Sequence, residues 1–237
     1  MSYLGYIKTL CEGYLAGYEE PKVLEIGIDK GQTALPLIHN LSLFERFSYV
    51  GLDIIVQDLV LNQLGQYVNV SLGGLDKKTG RDAMLLHVNS LTWLELNQQR
   101  KTKFDMVLVD GDHNYKTVSQ ELKLIQAVIH PMSIIVCDDY GGQWSETDLY
   151  YADRPEYAEN EKATQREESE RQGVRTAVDD FLKSDTRWSG CRIPTMEPII
   201  LYRNDVWETM ELMYHNSGRA QVSTARDMKL MAKLRQH

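Results

Sequence analysis

Phe104-Asp105-Met106-Val107-Leu108-Val109-Asp110-Gly111-Asp112-His113 and Ser133-Ile134-Ile135-Val136-Cys137-Asp138-Asp139-Tyr140 are two apolar runs that each end in acids, with Asp110 and Asp138 separated by 28 residues. Between them Val118, Leu122, Ile125 and Ile129 recur at helical spacing. Strand, amphipathic helix and strand make a βαβ unit, so parallel strands bring Asp110, Asp138 and Asp139 to one sheet edge. Ligands of open α/β sheets bind outside the carboxyl ends of the strands. Three carboxylates converging there repel one another unless a cation, a proton or a base sits among them.

The alternation extends outward from this unit. Lys22-Val23-Leu24-Glu25-Ile26-Gly27 reads as a strand, followed by a glycine-bearing turn and an apolar helix from about 33 to 43. Tyr49-Val50-Gly51-Leu52-Asp53 is the next strand and 57–66 the next helix. The segment 67–82, with Gly73-Gly74, Lys77-Lys78 and Gly80, reads as an elaborated loop. Met84-Leu85-Leu86-His87-Val88 follows as a third strand, with a helix near 91–98. Two further β-like stretches lie around 187–193 and 198–203, after a helix marked by Val174, Ala177, Val178, Phe181 and Leu182. The pattern predicts an α/β fold: a doubly wound, mostly parallel, seven-stranded Rossmann-like sheet with helices on both faces.

A single domain over 1–237 is expected, with two additions. Residues 141–172 break the alternation, and within 146–171 nine acids stand against four bases, interspersed with Tyr150, Tyr151 and Tyr157. A long polar segment directly after a strand end reads as a functional lid, with a solvated insertion as the alternative. The tail 205–237 reads as helical and increasingly basic, and its Met210, Met213, Met228 and Met231 read as packing or self-association residues, consistent with a homo-oligomer.

Composition narrows the classes. Hydrophobic residues at 43% and charged residues at 25% are ordinary for a globular protein. A net charge of −8 argues against a broad nucleic-acid footprint. No apolar run approaches the ~20 residues of a membrane span, and the polar Met1-Ser2-Tyr3 start does not read as a signal peptide. Cys11, Cys137 and Cys191 are scattered and odd in number, as expected of reduced thiols in a cytoplasmic protein.

Glu25-Ile26-Gly27-Ile28-Asp29-Lys30-Gly31 occupies a strand-to-helix turn, where glycine lets the backbone approach a ligand. Asp53, ending the second strand, is placed to accept both hydroxyls of a ribose. Asn89-Ser90, ending the third, is placed near an adenine edge. A dinucleotide site favours Gly-x-Gly-x-x-Gly, but here Asp29 holds the place of the second glycine, and an acid there crowds and repels a pyrophosphate. A Glu-x-Gly-x-x-x-Gly turn suits a cofactor with an amino-acid end, S-adenosylmethionine. An NAD-dependent oxidoreductase and a non-catalytic cofactor-binding scaffold remain as alternatives.

Val-Leu-Glu-Ile-Gly-x-x-x-Gly-x-Thr (23–33), Val-Gly-Leu-Asp (50–53) and Asp-Met-Val-Leu-Val-Asp-Gly-Asp-His (105–113) resemble a class I S-adenosylmethionine-dependent methyltransferase. Asp110-Gly111-Asp112-His113-x-Tyr115, Asp138-Asp139-Tyr140-Gly141 and Gly173-Val174-Arg175-x-Ala177-Val178-Asp179-Asp180-Phe181 resemble, more narrowly, the macrocin and mycinamicin sugar O-methyltransferases. The likeness covers about 20–203. This chain departs from that pattern in the insertion between Gly141 and Gly173 and in lacking a longer N-terminal extension, both where substrate would be selected. The resemblance implies S-adenosylmethionine held by Glu25, Gly27, Gly31, Thr33, Asp53, Asn89, Ser90 and Asp110. It also implies a metal on Asp110, Asp138 and Asp139, and His113 as the base that deprotonates a small-molecule hydroxyl, on a sugar or glycosylated metabolite.

The residue chemistry agrees with that implication. A sugar or catechol hydroxyl is a weak nucleophile at neutral pH, and a divalent cation or a base answers the deficit. Three carboxylates are hard oxygen ligands suited to Mg²⁺, with Mn²⁺ or Ca²⁺ also compatible; nothing favours zinc. A structural account stands beside it. Asp112 or Asn114 then serves as a helix N-cap, His113 is pinned by a neighbouring acid, and the Asp138-Asp139 pair faces solvent. His39, His87, His130 and His215 read as structural; Tyr140 and Trp144 read as either acceptor-pocket or packing residues.

Overall fold

The computed structural model describes residues 7–72, 80–192 and 197–206. Eight strands form one sheet in the order β3-β4-β2-β1-β5-β6-β8-β7. They are β1 (Lys22–Ile26), β2 (Phe47–Asp53), β3 (Asn69–Leu72), β4 (Arg81–His87), β5 (Phe104–Val109), β6 (Ile129–Cys137), β7 (Trp188–Arg192) and β8 (Ile199–Arg203). The first six run parallel, while β8 pairs antiparallel with both β6 and β7. The helices are α1 (Ala34–Leu41), α2 (Asp58–Leu64), α3 (Ser90–Leu96), α4 (Tyr115–Ile125) and α5 (Val174–Ser184).

The sheet is covered on both faces, which is why its central strands are apolar almost throughout. Successive residues point to opposite faces. Val23, Met106, Leu108, Ile134 and Val136 therefore join Leu37, Ile38 and Leu41 of α1 and Val60 and Leu64 of α2. Leu24, Ile26, Val107, Val109 and Ile135 join Trp93 of α3, Val118, Leu122 and Ile125 of α4, and Ala177, Val178 and Phe181 of α5.

Two sequence expectations change. The sheet has eight strands rather than seven, because Asn69–Leu72, inside the segment read as a loop, pairs with β4 at the sheet edge. Ile129, read onto the apolar face of the helix, instead begins β6, and α4 ends at Ile125. The β5–β6 register shifts between Phe104 and Met106, alongside Pro131, which has no N–H to give to the ladder. The residues Gly73-Gly74 and Lys77-Lys78, and the tail with His215, Met210, Met213, Met228 and Met231, lie outside the described residues. Among the described residues the three cysteines are buried and unbridged, and no helix is long and apolar enough to cross a membrane.

The register fixes the functional edge. Val109 pairs with Cys137 and Ile26 with Val109, and the Asp138 N–H donates to the Val109 carbonyl at 3.0 Å. Gly27, Asp110 and Asp138 thus stand side by side where β1, β5 and β6 end.

Candidate active site

At the turn after β1 the backbone enters the left-handed region three times, at Gly27 (φ 87°), Asp29 (φ 42°) and Gly31 (φ 75°). Asp29 shows why glycine is common at its position, and why an aspartate is tolerated in this conformation. Gly27 has a second constraint: a Cβ there would lie 2.0 Å from the Asp110 carbonyl oxygen. Asp53 ties the turn down. Its Oδ2 accepts the N–H groups of Ile28 at 2.7 Å and Asp29 at 2.9 Å, and its Oδ1 that of Ile55 at 2.8 Å.

An open cleft lies beyond this turn, walled by Ile26, Leu52, Ile54 and Val88. Of the predicted cofactor residues, Gly27, Asp53, Asn89, Ser90 and Asp110 line it, whereas Glu25, Gly31 and Thr33 do not. Glu25 is fully buried beneath the turn, accepting the Tyr49 hydroxyl at 2.7 Å. Burial pushes its carboxyl up to about 8; the Tyr49 hydrogen bond opposes the rise and the Asp53 charge adds to it. Thr33 is buried just ahead of α1. Asn89 caps α3 by accepting the Thr92 N–H at 3.2 Å. Ser90 donates to Glu121 Oε1 at 2.5 Å, and burial raises the Glu121 carboxyl to about 8.

Tyr151, Tyr157 and Asp112 also line the cleft, although sequence assigns none of them to the cofactor, the metal or the base. Asp112 is not the helix cap: Asn114 is, accepting the Thr117 N–H at 2.8 Å. The aromatic content of the insertion was the signal for Tyr151 and Tyr157. Its path brings them there through long-range contacts. Asp148 Oδ1 accepts the N–H groups of Tyr115 and Gly173, both at 2.8 Å, linking the N-termini of α4 and α5. Asn160 Nδ2 donates to the Ile54 carbonyl at 3.1 Å, and Asn89 Nδ2 to that of Lys162 at 2.8 Å. Tyr140 points elsewhere, donating to Asp179 Oδ1 at 2.9 Å with the Arg175 and Arg192 guanidinium groups over its ring.

The three predicted metal residues reach one edge, where two of them face each other and the third turns to His113. Asp110 and Asp138 face each other at hydrogen-bonding range. Burial raises both: the Asp138 charge and hydrogen bond push Asp110 further up, while at Asp138, raised to about 6, the Asp110 hydrogen bond opposes the rise and the Asp139 charge adds to it. Asp138 Oδ1 is buried without a partner. Asp139, in the left-handed conformation (φ 53°), turns its Oδ2 to His113 Nδ1 at 3.2 Å. Gly142 makes room for it, since a Cβ there would lie 1.9 Å from Asp139 Oδ1. Among the described residues no three His, Cys, Asp or Glu side chains form a group able to hold one ion. The donor chemistry nevertheless suits a hard cation: two apposed carboxyls and an orphaned carboxylate oxygen.

His113 is buried. Burial lowers its pKa, Asp139 opposes the fall, and Arg154 adds to it. A neutral ring whose Nδ1–H donates to Asp139 presents Nε2 as the acceptor nitrogen. The His113 ring centroid is 6.5 Å from that of Tyr151, at the rim of the cleft.

The family model described as a methyltransferase domain matches residues 24–140, ending where the insertion begins. No curated protein matches the chain. Among solved structures it resembles CalS11, TDP-rhamnose 3'-O-methyltransferase of calicheamicin biosynthesis, with TM-score 0.54 and 15% identity over 85% of this chain and 79% of that one. It also resembles the O-methyltransferase TomG from Streptomyces achromogenes, involved in tomaymycin synthesis, with TM-score 0.51 and 16% identity over 85% and 80%. These likenesses establish a shared fold. The match of residues 24–140 to a methyltransferase domain favours S-adenosylmethionine-dependent methyl transfer over the oxidoreductase alternative.

Proposed function

We propose that the chain methylates a hydroxyl of a small molecule, a sugar or glycosylated metabolite, with a divalent cation, Mg²⁺ or a similar ion, on Asp110, Asp138 and Asp139. The observation that carries this reading is the His113–Asp139 pair, 3.2 Å apart, beside the Asp110–Asp138 carboxyl pair at the rim of the cleft. Bound there, S-adenosylmethionine supplies an electrophilic methyl group, and a divalent cation lowers the pKa of a nearby hydroxyl.

The chain's own groups do the rest. Gly27, Asp53, Asn89, Ser90 and Asp110 surround the cofactor, with Glu25, Gly31 and Thr33 supporting the turn from below. His113 Nε2 takes the hydroxyl proton, and Asp139 stabilises the resulting imidazolium while holding the ring in its tautomer. Tyr151 and Tyr157, carried by the insertion acting as a lid, exclude water from the rim.

Calorimetric titration with S-adenosylhomocysteine and with NAD, each in Mg²⁺ and in a chelator, tests the cofactor and the metal together. Tight S-adenosylhomocysteine binding, no NAD binding and a Mg²⁺-dependent heat are expected. His113→Ala should lower the turnover of methyl transfer to sugar and catechol acceptors by ~10²–10⁴ and leave S-adenosylhomocysteine affinity unchanged. Unaltered turnover in His113→Ala would remove the base assignment.

A further inference from the structure

The insertion carries four bases among nine acids over 146–171. Cations in such company are expected to find carboxylates, and two of its arginines do. Arg166 pairs with Asp153 at 2.5 Å and Arg171 with Asp180. Beyond the insertion, Arg175 pairs with Glu146 at 2.8 Å. Arg154 is different. Among the described residues no carboxylate lies within 4.0 Å of its guanidinium, although Asp153 and Glu156 are near neighbours in sequence.

Its placement is also different. The Arg154 guanidinium sits 5.0 Å from the centroid of the Tyr151 ring, whose other neighbours are His113 at 6.5 Å and Tyr157 at 5.3 Å. Tyr151 and Tyr157 line the cleft with Asp110 and Asp112. Arg154 is half-buried, and its charge is felt by His113, Tyr151 and Tyr157. By contrast Arg100, a second guanidinium without a carboxylate, stacks on Trp93 and Phe104 away from the cleft.

A guanidinium 5.0 Å from a tyrosine ring centroid is in cation–π range, and its fork of N–H donors is suited to a carboxylate or phosphate. A cation left unpaired in a strongly acidic segment, at the rim of a site rich in aspartates, supplies a local attraction for an anion that the rest of the site would repel.

We propose that Arg154 is the anion-binding residue of the acceptor site, and that the acceptor carries a carboxylate or phosphate beside the hydroxyl it presents to His113. This rests on the hydroxyl-methylation reading above and narrows its acceptor to an acidic small molecule. The same guanidinium could be satisfied by the carboxylate of the cofactor, so the test separates the two sources.

Inorganic phosphate is titrated into the full chain with and without S-adenosylhomocysteine, following ³¹P linewidth and heat, for wild type, Arg154→Ala, Arg154→Lys and Arg171→Ala. Phosphate binding that weakens at least about tenfold in Arg154→Ala, recovers in part in Arg154→Lys and is unchanged in Arg171→Ala is the expected result. Absence of phosphate binding in the wild type, or equal binding in Arg154→Ala, would overturn the proposal. So would a tenfold loss of S-adenosylhomocysteine affinity in Arg154→Ala, which would assign the guanidinium to the cofactor. Wild-type protein that takes phosphate through Arg154 but no S-adenosylhomocysteine would keep the anion site and break the cofactor reading instead.

Discussion

At the turn after β1 the cleft is shaped by backbone. Gly27, Asp29 and Gly31 adopt left-handed conformations, Asp53 holds amide N–H groups, and Gly27 presses on the Asp110 carbonyl. At the ends of β5 and β6, a few ångströms along the same edge, the surface is shaped by side chains: Asp110 against Asp138, Asp139 against His113. A backbone-built site tolerates no added atom, because the colliding partner cannot rotate away. A side-chain-built site yields to change by rotation and loses chemistry before it loses the fold.

Paired glycine substitutions test that contrast, and the first carries the largest effect expected. In Gly27→Ala the new Cβ meets backbone at 2.0 Å and sits at φ 87°. Neither can be relieved locally, so a loss of ~3 kcal/mol or more is expected in urea unfolding, together with loss of S-adenosylhomocysteine binding. In Gly142→Ala the nearest atom is Asp139 Oδ1 at 1.9 Å, the tip of a side chain that can turn. Stability should fall by ~1 kcal/mol or less while methyl transfer falls about tenfold or more as Asp139 leaves His113. Equal destabilisation by the two substitutions would erase the distinction between the two ends.

The same contrast explains what was legible. The turn, the strand ends and the apolar periodicity are local, so Gly27, Asp53, Asn89 and Asp110 were placed from neighbouring residues alone. β3 was missed because four residues, Asn69–Leu72, carry too little periodicity to stand out from a Gly- and Lys-rich surrounding. Glu25 was assigned to the cofactor from its motif position, yet strand alternation turns it to the buried side, under Tyr49. The acid trio was correctly brought to one edge by the βαβ unit. That two of its members face each other while the third turns to His113 depends on the φ of Asp139 and on Gly142, which no pattern of residue types announces. Tyr151, Tyr157 and Arg154 reach the cleft only through contacts spanning tens of residues, such as Asn160 to Ile54.

Glu25 supplies a second, intermediate test, on the cofactor side. Its carboxyl lies near 8 when folded, against an ordinary ~4.3 in the unfolded chain. Below about pH 4 both states are protonated. Between about 4 and 8 the folded state keeps the proton and the unfolded state releases it, so stability falls with rising pH, by up to ~1.36 kcal/mol per pH unit from this group. Glu25→Gln removes that contribution. Unfolding free energies at pH 5 and pH 8 should therefore drop less in the variant than in wild type, by ~1 kcal/mol or more. S-adenosylhomocysteine affinity should be nearly unchanged. A large affinity loss would show that the buried carboxylate acts on the cofactor through the turn, and would shift part of the site from backbone to side chain.

The smallest effect concerns Asn89, which belongs to both halves. Its Oδ1 caps α3 through Thr92, while its Nδ2 donates to the Lys162 carbonyl and to Thr164 Oγ1 at 3.3 Å. Asn89→Ala removes both and should cost ~1 kcal/mol, the usual worth of an N-cap. Asn89→Asp separates them: a carboxylate caps as well as an amide oxygen and favours the positive end of the helix, but it cannot donate. Global stability of Asn89→Asp should match wild type within a few tenths of a kcal/mol, whereas amide exchange around Lys162–Thr164 should quicken, because the insertion has lost an anchor at the end of β4. If exchange there stays at the wild-type rate, the Asn89 amide is no anchor, and the cofactor half holds the segment that carries Tyr151, Arg154 and Tyr157 through Asn160 and the Ile54 carbonyl instead.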